Sequence, residues 1–225
     1  MSGLEACLFD LDGVIVDTAK YHFLAWRRIA DELGFAFTEE DNERLKGVSR
    51  QRSLDILLEI GGLSPDRESK ARLAERKNGF YLEHIRSMSP AEILPGAEAF
   101  LRACRDAGLK TGLATASRNS ALILEILRLR KLFDAVVDGN MVRRTKPDPE
   151  VFLLCARELG IAAGHCAVFE DAAAGIEAAH AAGMFGIGIG SPAILELADL
   201  VAPGLATLTL PSVLAAFESK KCTTR

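Results

Sequence analysis

"CLFDLDGVIVDTAKYHFLAW", residues 7–26, sets Asp10 and Asp12 directly after an apolar run with strand propensity. Two carboxylates two residues apart repel one another, so a metal ion, a proton or a basic partner must share their charge. The stretch then changes character. From Thr18 onward the spacing is helical, with Thr18, His22 and Trp26 at i, i+4 and i+8 on one stripe.

Short apolar runs bounded by Gly or Asp recur along the chain: "ACLF" at 6, "KTGLAT" at 110, "DAVVDG" at 134, "CAVFED" at 166, "MFGIGIG" at 184 and "DLVAP" at 199. From residue 96 helical patterns separate them, at 96–107, 119–130, 149–159 and 172–182. Between Thr18 and Met88 the pattern is helical only, at 18–33, 38–45, 50–60 and 66–87. Alternating strands and helices imply an α/β fold, a Rossmann-like parallel sheet with helices on both faces. The helical stretch implies an inserted all-helical cap domain, with residues 1–16 and 90–225 forming the core and 17–89 the cap. The prolines of "SMSPAEILPG" mark the return. The closing "ESKKCTTR" reads as a frayed tail.

With 225 residues, 49% of them hydrophobic, the chain can bury a large core. A net charge of −4 gives no reason to expect nucleic acid as a partner. The cluster Arg128, Arg130 and Lys131 ends an expected helix, where positive charge suits the dipole, and reads as solvated surface. A second basic cluster is Arg143, Arg144 and Lys146. The five cysteines, Cys7, Cys104, Cys155, Cys166 and Cys222, lack CxxC spacing and read as small apolar residues in a reducing compartment. The N-terminus lacks a basic n-region, and glycines, prolines, Glu196 and Asp199 break the apolar stretch at 178–210. The expectation is a cytoplasmic protein with no membrane partner.

Open parallel sheets bind ligands beyond the carboxyl ends of their strands. Asp10 and Asp12 follow the first strand, Thr115 and Ser117 the second, and Glu170 and Asp171 the fourth; Lys146 precedes a helix opened by proline. Any one of these could merely cap a helix or make a turn, but together they converge on one edge. Four carboxylates with no histidine or cysteine cluster suit a hard cation, Mg²⁺ rather than Zn²⁺. Lys146 and Thr115 can supply donors to a phosphoryl group. A carboxylate can itself attack phosphorus and form an aspartyl phosphate. Asp10 would then attack while Asp12 exchanges a proton with an alcohol.

"FDLDGVIVDT", "ATAS", "KPDPE" and "FEDAAAGIEAA" resemble the four motifs of the haloacid dehalogenase superfamily, in order and spacing. The second aspartate marks its phosphatase and phosphomutase branch. "DTAKYHFLAW", "LKGVSR", "ERKN", "SPAEILPG" and "TASRNS" resemble the β-phosphoglucomutases within that branch. The resemblance implies that Asp10 is the phosphorylated nucleophile and Asp12 the general acid and base. It implies Mg²⁺ on Asp10, the carbonyl of Asp12, Asp171 and, directly or through water, Glu170, with Thr115 and Lys146 holding the transferring phosphoryl group. Gly47, Val48, Arg50, Ser117, Arg118 and Asn119 would bind the substrate alongside Asp12, with Arg50 on the non-reacting phosphate. His22 and Lys77 would sense substrate and couple cap closure to Asp12, and Trp26 would either line the substrate site or pack the core. Thr115 and Arg118 stand where serine and lysine are usual, which touches fine specificity rather than chemistry.

The implied reaction interconverts β-D-glucose 1-phosphate and D-glucose 6-phosphate through bound β-D-glucose 1,6-bisphosphate, which also serves as activator. The implied partner is a small sugar phosphate, and the implied state a monomer. Two alternatives stay open: a sugar-phosphate phosphatase on the same scaffold, and a catalytically silent phospho-ligand binding module. Retention of both Asp10 and Asp12 counts against the last.

Overall fold

The computed structural model describes residues 3–45 and 48–223. The chain divides into two compact units, Met1–Asp17 with Pro90–Arg225, and Thr18–Ser89.

The first unit is built on a six-stranded, all-parallel sheet. Its strands are β1 (Ala6–Phe9), β2 (Lys110–Ala114), β3 (Ala135–Val137), β4 (Cys166–Glu170), β5 (Phe185–Ile189) and β6 (Leu200–Ala202), in the order β3-β2-β1-β4-β5-β6. The central strands are buried on both faces, which is why they read as continuous apolar runs rather than alternating ones. Phe9 stacks on Phe169 with ring centroids 4.5 Å apart, and Phe100 closes edge-on at 6.3 Å from Phe9. On the other face Leu8 and Val168 join a cluster with Phe152 and Cys155. Rings and branched chains buried this way contribute about 1.5–3 kcal/mol each.

The second unit holds α1 (Ala19–Leu33), α2 (Glu39–Glu43), α3 (Arg50–Ile60) and α4 (Arg67–Ile85). Three of these helices are capped by side chains. Thr38 and Asp41 form a reciprocal capping box, Ser49 accepts from the Arg52 amide, and Asp66 from the Ser69 amide. Trp26, Ile29, Leu54, Leu57, Tyr81 and Ile85 make the unit's buried centre. No helix among the described residues is long and apolar enough to cross a membrane.

The remaining helices belong to the first unit: α5 (Ala97–Asp106), α6 (Ser120–Ile126), α7 (Glu150–Leu159), α8 (Ala173–Ala181) and α9 (Leu210–Thr223). Two expectations need correction. α6 stops at Ile126, and Arg128 takes a φ of +58°, so the basic cluster lies beyond the helix, exposed on the turn after it. The expected C-terminal tail is helical to Thr223, because Val213 and Phe217 are buried and the Phe217 ring meets Phe185 edge-on at 5.5 Å.

Candidate active site

β1 and β4 run side by side, so Asp10 and Glu170–Asp171 emerge at the same edge of the sheet. The Asp10 amide donates to the carbonyl of Phe169 at 3.0 Å, and the Asp12 amide donates to Asp10 Oδ2 at 3.0 Å. The chain then turns at once. Gly13 donates to the Val16 carbonyl at 2.8 Å, and Leu94 to that of Ile15 at 2.9 Å. Gly13 has a φ of +76°, and a Cβ there would lie 2.0 Å from Asp171 Oδ2, so only glycine serves.

Lys146, 4% exposed, reaches into this edge. Its Nζ donates to Asp10 Oδ1 at 2.5 Å, to Glu170 Oε1, and to the Ala114 carbonyl at 3.3 Å. Burial pulls the ammonium's pKa down, but the Asp10 and Glu170 carboxylates more than reverse this and hold it above the ordinary lysine value. Glu170 also accepts from the Ala172 amide at 3.2 Å. At the first turn of α8, a Cβ on Gly175 would stand 2.0 Å from the Glu170 carboxyl carbon, so the helix packs directly on that carboxylate.

One ammonium does not balance four acids. Burial pushes Glu170 up to about 7, with Asp10 adding to the rise and Lys146 opposing it. Burial, then Glu170, Asp10 and Asp12, push Asp171 up to about 8. No group of three or more histidine, cysteine or acidic side chains among the described residues already stands in a metal-holding arrangement. Lys146 draws Asp10 and Glu170 to itself instead. The donor set nonetheless fits a divalent hard cation: it is all oxygen, and its charge is only partly offset.

After β2, the Thr115 amide donates to the Val137 carbonyl at 3.0 Å. Thr115 Oγ1 accepts from the Ser117 amide at 3.1 Å, and Ser117 Oγ from that of Asn119 at 3.3 Å. Thr115 is buried, Ser117 and Asn119 are half-buried, and Arg118 is exposed. The structure thus brings Asp10, Lys146 and Glu170 into contact, with Asp12 and Asp171 beside them and Thr115 at the end of the neighbouring strand β2.

The helical unit gathers a second constellation. Lys77 Nζ bonds His22 Nδ1 at 2.7 Å and lies 4.7 Å from the centroid of Trp26 and 4.8 Å from that of Tyr81. Burial, then Lys77 and Arg50, hold the His22 imidazole well below its ordinary value. It is therefore neutral, accepting at Nδ1 and carrying its proton on Nε2. Trp26 is fully buried and packs the unit's core. Val48 and Arg50 are half-buried at the start of α3, and Gly47 lies outside the described residues. The other histidines are occupied elsewhere: His84 stacks on Tyr21, His165 meets Glu5 and the Gly3 carbonyl, and His180 meets Asp199.

The haloacid dehalogenase-like hydrolase family model matches residues 4–183, a span that reaches from β1 through α8 and contains Asp10, Asp12, His22, Lys77, Thr115, Lys146, Glu170 and Asp171. The chain belongs to that family. Within the haloacid dehalogenase-like hydrolases it is similar to a β-phosphoglucomutase of Bacillus subtilis, 43% identical over 209 residues and 92% of each chain. A phosphorylated carbohydrates phosphatase of Thermotoga maritima is 35% identical, covering 80% of this chain and 82% of the relative. The crystal structure of a β-phosphoglucomutase from Clostridium difficile superimposes with a TM-score of 0.94 at 38% identity, over 97% of this chain and 99% of the other. The family's parallel sheet and helical insert are those described above.

The carboxyl-end rule applies to β3 as well, whose end carries Asp138, a residue the sequence reading passed over. Its signal was hidden in "DGN", which looks like an ordinary turn.

Proposed function

We propose that the chain is a phosphomutase that interconverts β-D-glucose 1-phosphate and D-glucose 6-phosphate through an aspartyl phosphate on Asp10. The observation that carries this is the Asp10–Asp12 pair beside buried Lys146: one carboxylate is pinned by an amide and an ammonium, and a second acid stands two residues on. The similarity to β-phosphoglucomutases over nine-tenths of the chain supports the sugar.

An Asp10 oxygen forms a bond to phosphorus as the bond from phosphorus to the sugar oxygen breaks, and Asp12 gives that oxygen its proton. In return, the free hydroxyl of glucose 1-phosphate attacks the phospho-enzyme, and Asp12 takes the hydroxyl's proton. β-D-Glucose 1,6-bisphosphate forms, turns end for end, and gives up its other phosphoryl group. Lys146 and the Thr115 hydroxyl donate to the phosphoryl oxygens as their charge spreads. Asp10, Asp171, Glu170 and the Asp12 carbonyl would hold Mg²⁺, which when bound neutralises charge on the phosphoryl group.

Ser117, Arg118, Asn119, Val48, Gly47 and Arg50 would bind the sugar phosphate, Arg50 on the phosphate that is not reacting. His22 and Lys77 would sense the substrate. The enzyme would work as a cytoplasmic monomer; the free, buried thiols of Cys7, Cys104, Cys155 and Cys166 suit a reducing compartment.

A phosphatase is the second reading, favoured by the similarity to the Thermotoga maritima enzyme. One assay separates them: β-glucose 1-phosphate with catalytic bisphosphate and Mg²⁺, followed for glucose 6-phosphate and for free phosphate. Glucose 6-phosphate in excess supports the mutase; stoichiometric free phosphate without isomerisation overturns it. EDTA should stop turnover and Mg²⁺ restore it.

A further inference from the structure

Asp138, 9% exposed at the carboxyl end of β3, has no part in the chemistry above. Its carboxylate accepts from Ser120 Oγ at 3.0 Å, from the Asn140 amide at 2.8 Å and from Asn140 Nδ2 at 3.2 Å. Asn140 Nδ2 also donates to the Arg118 carbonyl at 3.0 Å, and the Gly139 amide to the Ser117 carbonyl at 3.1 Å. With the Thr115 amide on the Val137 carbonyl, four successive residues of one segment grip the facing loop along its length. A Cβ on Gly139 would stand 2.3 Å from the Ala116 oxygen, so the two backbones approach as closely as a missing side chain allows.

An isolated turn explains only part of this. The bond from the Asn140 amide to Asp138 closes a local turn, but those to Ser120, Arg118 and Ser117 cross to another element and serve nothing in β3 itself. What they fix is the backbone from which Ser117, Arg118 and Asn119 project.

We propose that Asp138, Gly139 and Asn140 form a latch that positions the loop from Thr115 to Asn119 for the sugar phosphate. These are positioning residues, and the proposal rests on the sugar-phosphate reading of that loop. The latch sets how firmly the sugar is held. The reaction of Asp10 with a phosphoryl donor that has no sugar does not require it.

Asn140 is exposed, so Asn140→Ala leaves packing intact. Its KM for β-glucose 1-phosphate should rise about fivefold to tenfold, as expected for misplaced hydrogen-bonding groups, with kcat within about twofold of wild type. Phosphorylation of Asp10 by acetyl phosphate should change less than twofold. Amide hydrogen exchange at Ser117 and Asn119 should accelerate in Asn140→Ala and in Asp138→Asn, while that of the β1 and β4 amides stays as it was. The exchange measurement stands even if wild-type enzyme fails to isomerise the sugar, so failure of the mutase reading and failure of the latch are distinguishable. Unchanged exchange across residues 115–120 overturns the latch. So does an equal loss with sugar and acetyl phosphate accompanied by faster exchange throughout the sheet, which would make the segment a fold element only.

Discussion

Among the described residues, Lys146 of the α/β unit and Lys77 of the helical unit are the two buried lysines, and they sit in contrasting company. Lys146 lies between two carboxylates and a carbonyl, and its charge is held firmly on. Lys77 lies against a neutral imidazole and the faces of Trp26 and Tyr81. The first arrangement binds tightly and suits a group that must stay charged while a phosphoryl group passes. The second sets an ammonium beside aromatic faces and an uncharged nitrogen.

The largest effect should come where the acids act. Asp12→Ala should lower kcat by about a hundredfold to ten-thousandfold while sugar-phosphate binding survives, as isothermal titration would show. A variant with unchanged turnover would reduce Asp12 to a turn residue.

Replacing each lysine by methionine tests how far the carboxylates set the difference. Lys146→Met leaves Asp10 and Glu170 buried without their cation and should cost about 3–5 kcal/mol of stability in urea unfolding. Lys77→Met loses ring and imidazole contacts and should cost about 1–2 kcal/mol. Equal losses would mean that the carboxylates do not set the difference.

Arg50→Ala should weaken sugar-phosphate binding by roughly 1.5–3 kcal/mol and raise the ratio of free phosphate to isomerised product. Reaction with acetyl phosphate, which lacks a distal phosphate, should barely change. If both donors suffer alike, Arg50 does not read the second phosphate.

The pH dependence should have opposite signs in the two units. With EDTA present, burial and the neighbouring acids keep Asp171 protonated to about pH 8, whereas the unfolded chain loses that proton near pH 4. Its contribution to stability therefore falls as pH rises between those values. His22 is held below its ordinary value, so the unfolded chain takes up a proton below about pH 6.5 that the native state refuses. Its contribution is complete above that pH and falls as pH drops. Each slope is at most about 1.4 kcal/mol per pH unit. Urea midpoints from pH 5 to 9 should lose the fall between about pH 6.5 and 8 in Asp171→Asn, and in His22→Asn should begin falling already below about pH 6.5, where the two slopes offset one another in wild type. The reverse pattern would refute both assignments.

Much of this was legible in the residues, and the reasons are particular. The central strands β1 and β4 are apolar runs because a parallel sheet covered on both faces leaves no polar alternation to confuse them. Asp10, Thr115, Glu170 and Asp171 were legible because a strand's end announces them. The partners of Lys146 were not, since 136 residues of chain separate it from Asp10 and only the folded sheet closes that gap. The bond between His22 and Lys77 spans 55 residues and was equally invisible as a contact. Polarity misled at "ESKKCTTR", where one ring, Phe217, docks a helix whose end looks like a tail.

Asp10 should carry the phosphoryl group between substrates. Enzyme incubated with acetyl phosphate or β-glucose 1,6-bisphosphate, quenched in acid, digested and mapped by mass spectrometry should hold one phosphoryl group on the peptide containing Asp10. Adding β-glucose 1-phosphate before the quench should discharge it into bisphosphate and glucose 6-phosphate, and Asp10→Asn should carry none and turn over at less than about one hundredth of the wild-type rate. A phosphoryl group on another residue, or sustained turnover by Asp10→Asn, would show that Asp10 is not the carrier.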